Sequence, residues 1–192
     1  MKNSIISIIA CVIAIIALGV ALLPNDMIEE NPQGLQFYRL DDGTYIVSCG
    51  DSKYLSNIVI PGTYKGGAVV GLDNKAFEDC DSLTSITIPD SVTSIGNHTF
   101  WGCNNLASVV ISDSITSIGI YTFDSCTSLT SIVIPNAVTS IGGSAFSGCT
   151  SLASIRFEGT VEQWEAITFG SGWNWKVPAT EVICSDGVVS LK

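Results

Sequence analysis

Seven cysteines, a single histidine and many serines are the residues of this 192-residue chain whose chemistry would matter most. Four of the cysteines, Cys80, Cys103, Cys126 and Cys149, recur at one constant interval. Such a row could hold zinc, link into disulfides or lie buried and inert. Zinc needs a tetrahedral cluster, usually with ligand spacings of the CxxC kind, and the chain has none. Neighbouring strands ~4.8 Å apart would set the thiols side by side, slightly beyond the Cβ separation of a disulfide. The row therefore reads as reduced, buried thiols that pack as small hydrophobes. Cys49 and Cys184 fall near opposite ends and read as too far apart to pair. His98 has no partners at catalytic spacing, and a general base must be held near a nucleophile by a third group. The serines form neither a GxSxG elbow nor an SxxK pair. No enzyme, catalytic residue, metal or cofactor is expected.

The elements that carry these residues follow from the same interval. Phe77, Phe100, Phe123 and Phe146 keep it, as do Leu83, Leu106, Leu129 and Leu152. Ile86, Val109, Ile132 and Ile155 form a third series, and Ile88, Ile111, Ile134 and Phe157 a fourth. Val92, Ile115, Val138 and Val161 make a fifth, and Ile95, Ile118, Ile141 and Trp164 a sixth. A repeat as short as this, ~23 residues, cannot close its own core, so equivalent apolar residues must stack coil on coil. The phrase Leu83-x-x-Ile86-x-Ile88 predicts one short strand, with Ile86 and Ile88 inward and Ser85 and Thr87 outward. Pro89 or Pro135 ends the strand. Val92-x-x-Ile95-Gly96 returns along the other side, and Gly96, Gly119 and Gly142 mark a corner. The expectation is a β-rich solenoid of short parallel strands and little helix, with four to five coils.

The units SLTSITIPDSVTSIGNHTFWGC, NLASVVISDSITSIGIYTFDSC and SLTSIVIPNAVTSIGGSAFSGC resemble the BspA-like, or TpLRR, class of leucine-rich repeat. GLQFYRLDDGTYIVSCG is similar to the strand pair that begins many such domains, and residues 58–77 to their longer first repeat. Residues 157–189 look like a terminal cap, which would take Trp164, Trp173 and Trp175. The resemblance implies an exported or surface-attached binding protein, credited with adhesion, and no catalytic residues. The expected divisions are residues 1–23, an apolar leader; 24–34, a tether; 35–79, an N-terminal cap and divergent first repeat; 80–157, the regular leucine-rich repeats; and 158–192, a C-terminal cap.

Charge and hydropathy bound the partners. The net charge is -10, with eight Lys plus Arg against 18 Asp plus Glu. A chain so acidic has little with which to neutralise phosphates, and that excludes nucleic acid as the expected partner. Residues 5–23 carry no charge, and 19 residues at ~1.5 Å each give ~28 Å, close to a bilayer's hydrocarbon thickness. Lys2 precedes this run and Asp26, Glu29 and Glu30 follow it, so the positive-inside rule exports the C-terminal domain. The run is either a signal anchor, giving a single-pass surface protein, or a signal peptide, giving a secreted one.

Three groups of residues are candidates for binding, with an extracellular protein or glycan as the partner and a monomeric ectodomain as the binder. The outward strand positions are the serine column Ser85, Ser108 and Ser131 and, beside it, Thr87, Val110, Val133 and Arg156. Between Lys75 and Arg156 there is no Lys or Arg, so this strip is nearly uncharged. Small hydroxyl and β-branched residues also simply suit a stacked sheet. A second group, His98, Trp101 and Tyr121 with Ile120, sits where the repeat is least regular, and exposed Trp and Tyr are favoured in binding hot spots. Asn97-His98-Thr99 is a glycosylation sequon that would compete with it. The remaining possibility is a purely structural envelope protein.

Overall fold

The computed structural model describes residues 33–50 and 54–191. The apolar run at residues 5–23 lies outside them, as does nearly all of the tether. Among the described residues no helix is long and apolar enough to cross a membrane.

The chain winds into a solenoid. An antiparallel hairpin of β1 (Gln36–Arg39) and β2 (Tyr45–Ser48) begins it. One face is then built from β3 (Asn57–Val59), β6 (Ser85–Thr87), β8 (Ser108–Val110), β10 (Ser131–Ile134), β12 (Ser154–Phe157) and β14 (Glu181–Ile183). β3, β6 and β8 pair in parallel, as do β10, β12 and β14, and β15 (Val188–Ser190) closes that end antiparallel. β8 packs against β10 without ladder pairing, so the face is two sheets laid end to end. The return side carries β5 (Gly67–Leu72), β7 (Ser94–Ile95), β9 (Ser117–Ile118), β11 (Ser140–Ile141) and β13 (Thr168–Phe169). A short β4 (Thr63–Tyr64) folds back on β5.

Alternation within each strand sets what is buried. Ile86, Val109, Ile132 and Ile155 point into the core, each 8% exposed or less, while Thr87, Val110, Val133 and Arg156 point out. Leu83, Leu106, Leu129 and Leu152 are sealed at 0%. The four phenyl rings form one stack, with centroids 5.5, 5.2 and 5.3 Å apart and planes within 16° of parallel. Parallel backbones held in one register force identical side chains to lie above one another, so offset ring stacking repeats at every coil. Each ring's own amide donates to the next coil, from Phe77 to Thr99 O, Phe100 to Thr122 O and Phe123 to Ala145 O, all at 2.8 Å.

The glycine corner has a reason that spacing alone does not reveal. A Cβ on Gly142 would lie 2.6 Å from the carbonyl carbon of Gly119 and from the amide nitrogen of Ile120. On Gly96 it would lie 2.6 Å from the amide nitrogen of Asn74. Successive backbones touch there, and a side chain would wedge the coils apart.

Two expectations need correction. Ile141 pairs with Phe169, not with Trp164, because a short helix, α1 (Val161–Glu165), is inserted before β13. Val161 therefore begins that helix instead of continuing the column of Val138. Thr160 caps α1 by accepting from the Gln163 amide, and the Gln163 side chain accepts from the Thr160 amide in return, a capping box. Trp164 is buried beside Phe157 and Trp173, and Trp173 meets Phe146 edge-on at the end of the ring stack. Trp175, also assigned to the cap, is 59% exposed there with the Lys176 ammonium 4.1 Å above its ring. The second correction is the number of coils. The divergent first turn and the last, interrupted one both stack in register with the regular ones, giving about six turns rather than four to five.

Candidate binding face and thiol row

The outward strand positions come together as a continuous row. Val59 pairs with Thr87 and Thr87 with Val110 across β3, β6 and β8; Val133 pairs with Arg156 and Arg156 with Ile183 across β10, β12 and β14. Val59, Val110, Val133 and Ile183 are 43–56% exposed. Beside this row runs a polar one, in which Asn57, Ser85 and Ser108 share a register, as do Ser131 and Ser154. The Ser85 hydroxyl donates to the Asn57 side chain at 2.6 Å. Val59 and Ile183 are absent from the expected set. Val59 and its mate Thr87, like Arg156 and its mate Ile183, lie further apart in sequence than one regular repeat, so a constant interval passes over both. Their signal is local, since each ends an apolar-alternating tripeptide.

The second group is also assembled. His98 stacks on Tyr121 with centroids 4.8 Å apart and planes 24° from parallel, and Trp101 meets His98 edge-on at 6.4 Å. His98 and Tyr121 hold φ of 56°, and Lys75 and Ser144, one coil outward on either side, hold 60° and 54°. This left-handed turn, costly for a residue with a Cβ, aims the side chain away from the coil and sets the rings in file. Ile120, Tyr121 and Trp101 are exposed. Asn97 is exposed too, but its side-chain oxygen accepts from the Ile120 amide at 2.9 Å, and the buried Thr99 hydroxyl donates to Gly96 O at 2.6 Å. The sequon is thus part of the coil-to-coil ladder.

The thiols lie in the expected row and have a use in it. Cys103 Sγ donates to Phe77 O at 2.9 Å, Cys126 Sγ to Phe100 O at 3.2 Å and Cys149 Sγ to Phe123 O at 3.0 Å. Each of these three phenylalanine carbonyls thus accepts from its own coil's cysteine amide and from the following coil's thiol. Burial pushes Cys103 and Cys149 up to about 12 and Cys126 well above its ordinary value near 9. Above pH 9 the unfolded chain releases thiol protons that the folded chain retains, so stability is complete below that pH and falls as pH rises toward 12. Cys103 and Cys149 together are expected to cost up to about 3 kcal/mol per pH unit in this window, at 1.36 kcal/mol per unit each. Urea melts under reducing conditions at pH 8, 9.5 and 10.5 would show it, and Cys149→Ala would flatten the slope.

Among the described residues no group of three or more His, Cys, Asp or Glu side chains could hold a metal ion. The profile of the BspA type leucine rich repeat region matches residues 49–174 in six copies. The chain belongs to the BspA-type leucine-rich repeat family.

Solved structures agree with the family assignment. A leucine rich cell surface protein from Faecalibacterium prausnitzii is 28% identical with a TM-score of 0.62, over 73% of this chain and 42% of that one. The chain therefore spans less than half the length of that relative. The T. pallidum leucine rich repeat protein is 26% identical with a TM-score of 0.58, over 77% and 88%. A leucine-rich repeat protein from Bacteroides capillosus is 30% identical with a TM-score of 0.59, over 67% and 97%. No curated protein matches the chain at a significant level. In BspA-type terms, the inward positions and the outward serine column of this chain repeat from coil to coil, while the second outward row changes among Val, Thr, Arg and Ile. The scaffold is uniform, and the variation sits on this outward row and at the corner that carries His98, Trp101 and Tyr121.

Proposed function

We propose that this domain is a non-catalytic recognition module of the cell surface, which binds an extracellular protein along its strand face and so serves adhesion. The observation that carries this reading is the row from Val59 through Thr87, Val110, Val133 and Arg156 to Ile183. Apolar side chains that stand exposed on a rigid, nearly uncharged strip are suited to burial against a partner. Six strands at ~4.8 Å span about 24 Å, which suits a small interface of modest affinity. Prior order in the strands means little entropy is lost on association. The cell-surface setting draws on the Faecalibacterium relative, described as a cell surface protein, and on the uncharged run at residues 5–23, which would hold the domain outside as a monomer or be removed on secretion.

A panel of extracellular matrix proteins, measured by surface plasmon resonance against the wild type and Val110→Asp/Val133→Asp, tests the reading. The expected result is micromolar binding to a panel member that weakens at least ~10-fold, or 1.4 kcal/mol, in the variant. Its melting temperature should stay within ~2 °C of wild type, because both side chains point to solvent. Binding that persists undiminished in the variant would sink the proposal.

A second reading rests on the ring file of His98, Tyr121 and Trp101, since exposed aromatic faces can stack on sugar rings. On a glycan array this reading predicts retained glycans that are lost in Trp101→Ala and kept in the valine variant.

A further inference from the structure

The thiol row changes character at its N-terminal end. In the regular coils a cysteine reaches back to a phenylalanine carbonyl one coil earlier. Cys80 opens the row, and the turn before it contains no phenylalanine at that station. The Cys49 amide donates to Ala76 O at 2.8 Å, the same bond that Phe77 makes to Thr99 O and Phe100 to Thr122 O. Cys49 thus occupies the phenylalanine station of the cap, and a cysteine side chain stands where the later coils carry a ring. By the register of the later coils, in which a thiol reaches back to the phenylalanine station, Cys80 faces Cys49, and the Cys49 side chain is the first cause that raises the Cys80 thiol pKa. Cys80 is 1% exposed, whereas Cys49 is half-buried at the rim of the core.

We propose that Cys49 and Cys80 are a disulfide-forming pair that fastens the cap hairpin β1–β2 to the first regular coil. The later thiols Cys103, Cys126 and Cys149 are each engaged by a phenylalanine carbonyl of the coil before. Closing the bond requires the two sulfurs to approach to ~2.05 Å. The oxidant is a disulfide of the small-molecule or thiol-oxidoreductase class. Cys49, the more accessible sulfur, gives up its proton and attacks one sulfur of that disulfide, forming a mixed disulfide and expelling one thiolate. Cys80 then loses its proton and attacks Cys49 Sγ, expelling the second thiolate. Two electrons pass to the oxidant and the two protons end on its thiols. The Cys49 thiol and then burial raise the Cys80 pKa, and burial persists once Cys49 is in the mixed disulfide, so the second step quickens as pH rises.

The test is to expose the full chain, purified in detergent, to oxidised glutathione at pH 8.5 and to map its peptides without reduction. The expected result is one cross-linked pair containing Cys49 and Cys80, an intact mass lower by two hydrogens, and a melting temperature raised by about 5 °C that dithiothreitol reverses. Cys49→Ser, at the rim of the core, should remain folded and show neither the mass loss nor the shift. Glutathione held stably on Cys49, a cross-link from Cys80 to Cys103, or no loss of thiol at all would each overturn the proposal.

Discussion

Phe123→Ala is expected to lower stability by about 4 kcal/mol, the usual cost of emptying a fully buried phenylalanine site. Phe123 is 0% exposed and stacks on Phe100 at 5.2 Å and on Phe146 at 5.3 Å, so one substitution removes both contacts of a central ring. Each stacked pair adds about 1 kcal/mol beyond the area it buries. The melting temperature should fall by roughly 10 °C. Because coils touch only their neighbours, the loss is concentrated at one plane of the stack, and the two halves should cease to unfold together. Urea denaturation followed by circular dichroism would show this as a lower slope as well as an earlier midpoint. Ser131→Ala, on the exposed side of β10, should leave both unchanged.

Gly142→Ala is expected to cost about 3 kcal/mol, an outcome opposite to what a mere gain of one methyl on the surface would suggest. The added Cβ would meet backbone atoms of Gly119 and Ile120 at 2.6 Å, and backbone cannot rotate away as a side chain can. Relief requires the two coils to part, which strains the 2.8 Å bond from the Gly142 amide to Ile118 O. Gly66→Ala is the informative contrast. No atom lies within 4 Å of the position its Cβ would take, but its φ of 82° strains any side chain. Its cost should be about 1 kcal/mol. Thermal melts of the two variants would separate close approach from backbone conformation as the reason for glycine.

The regular coils were legible because their length is constant. With the same number of residues in every turn, a residue's number fixes its place in the cross-section, and the inward and outward sets follow from strand alternation. Ser85, Thr87, Ser108, Val110, Ser131, Val133 and Arg156 all fall on the outward face as that logic requires. Legibility ends where length changes. The β4–β5 hairpin lengthens the first turn and hides Val59; α1 lengthens the last, moves Trp164 out of its column and hides Ile183. Cys49 escaped for the same reason, since its station is recognisable only from the backbone bond to Ala76. Close approach at Gly142 and the donation of the Cys103, Cys126 and Cys149 thiols to carbonyls are three-dimensional facts with no counterpart in spacing. The stacking of His98 on Tyr121 was within reach, because one interval separates them, yet the left-handed turn that directs both rings away from the coil was not.

The strand face and the thiol row both depend on equivalent residues of successive turns lying one over another. Nuclear Overhauser contacts among the phenylalanine rings of the reduced, folded domain measure this directly. The account predicts contacts from Phe77 to Phe100, Phe100 to Phe123 and Phe123 to Phe146, whose centroids are 5.2–5.5 Å apart, and none from Phe77 to Phe123. Missing neighbour contacts, or a contact that skips a ring, would contradict it.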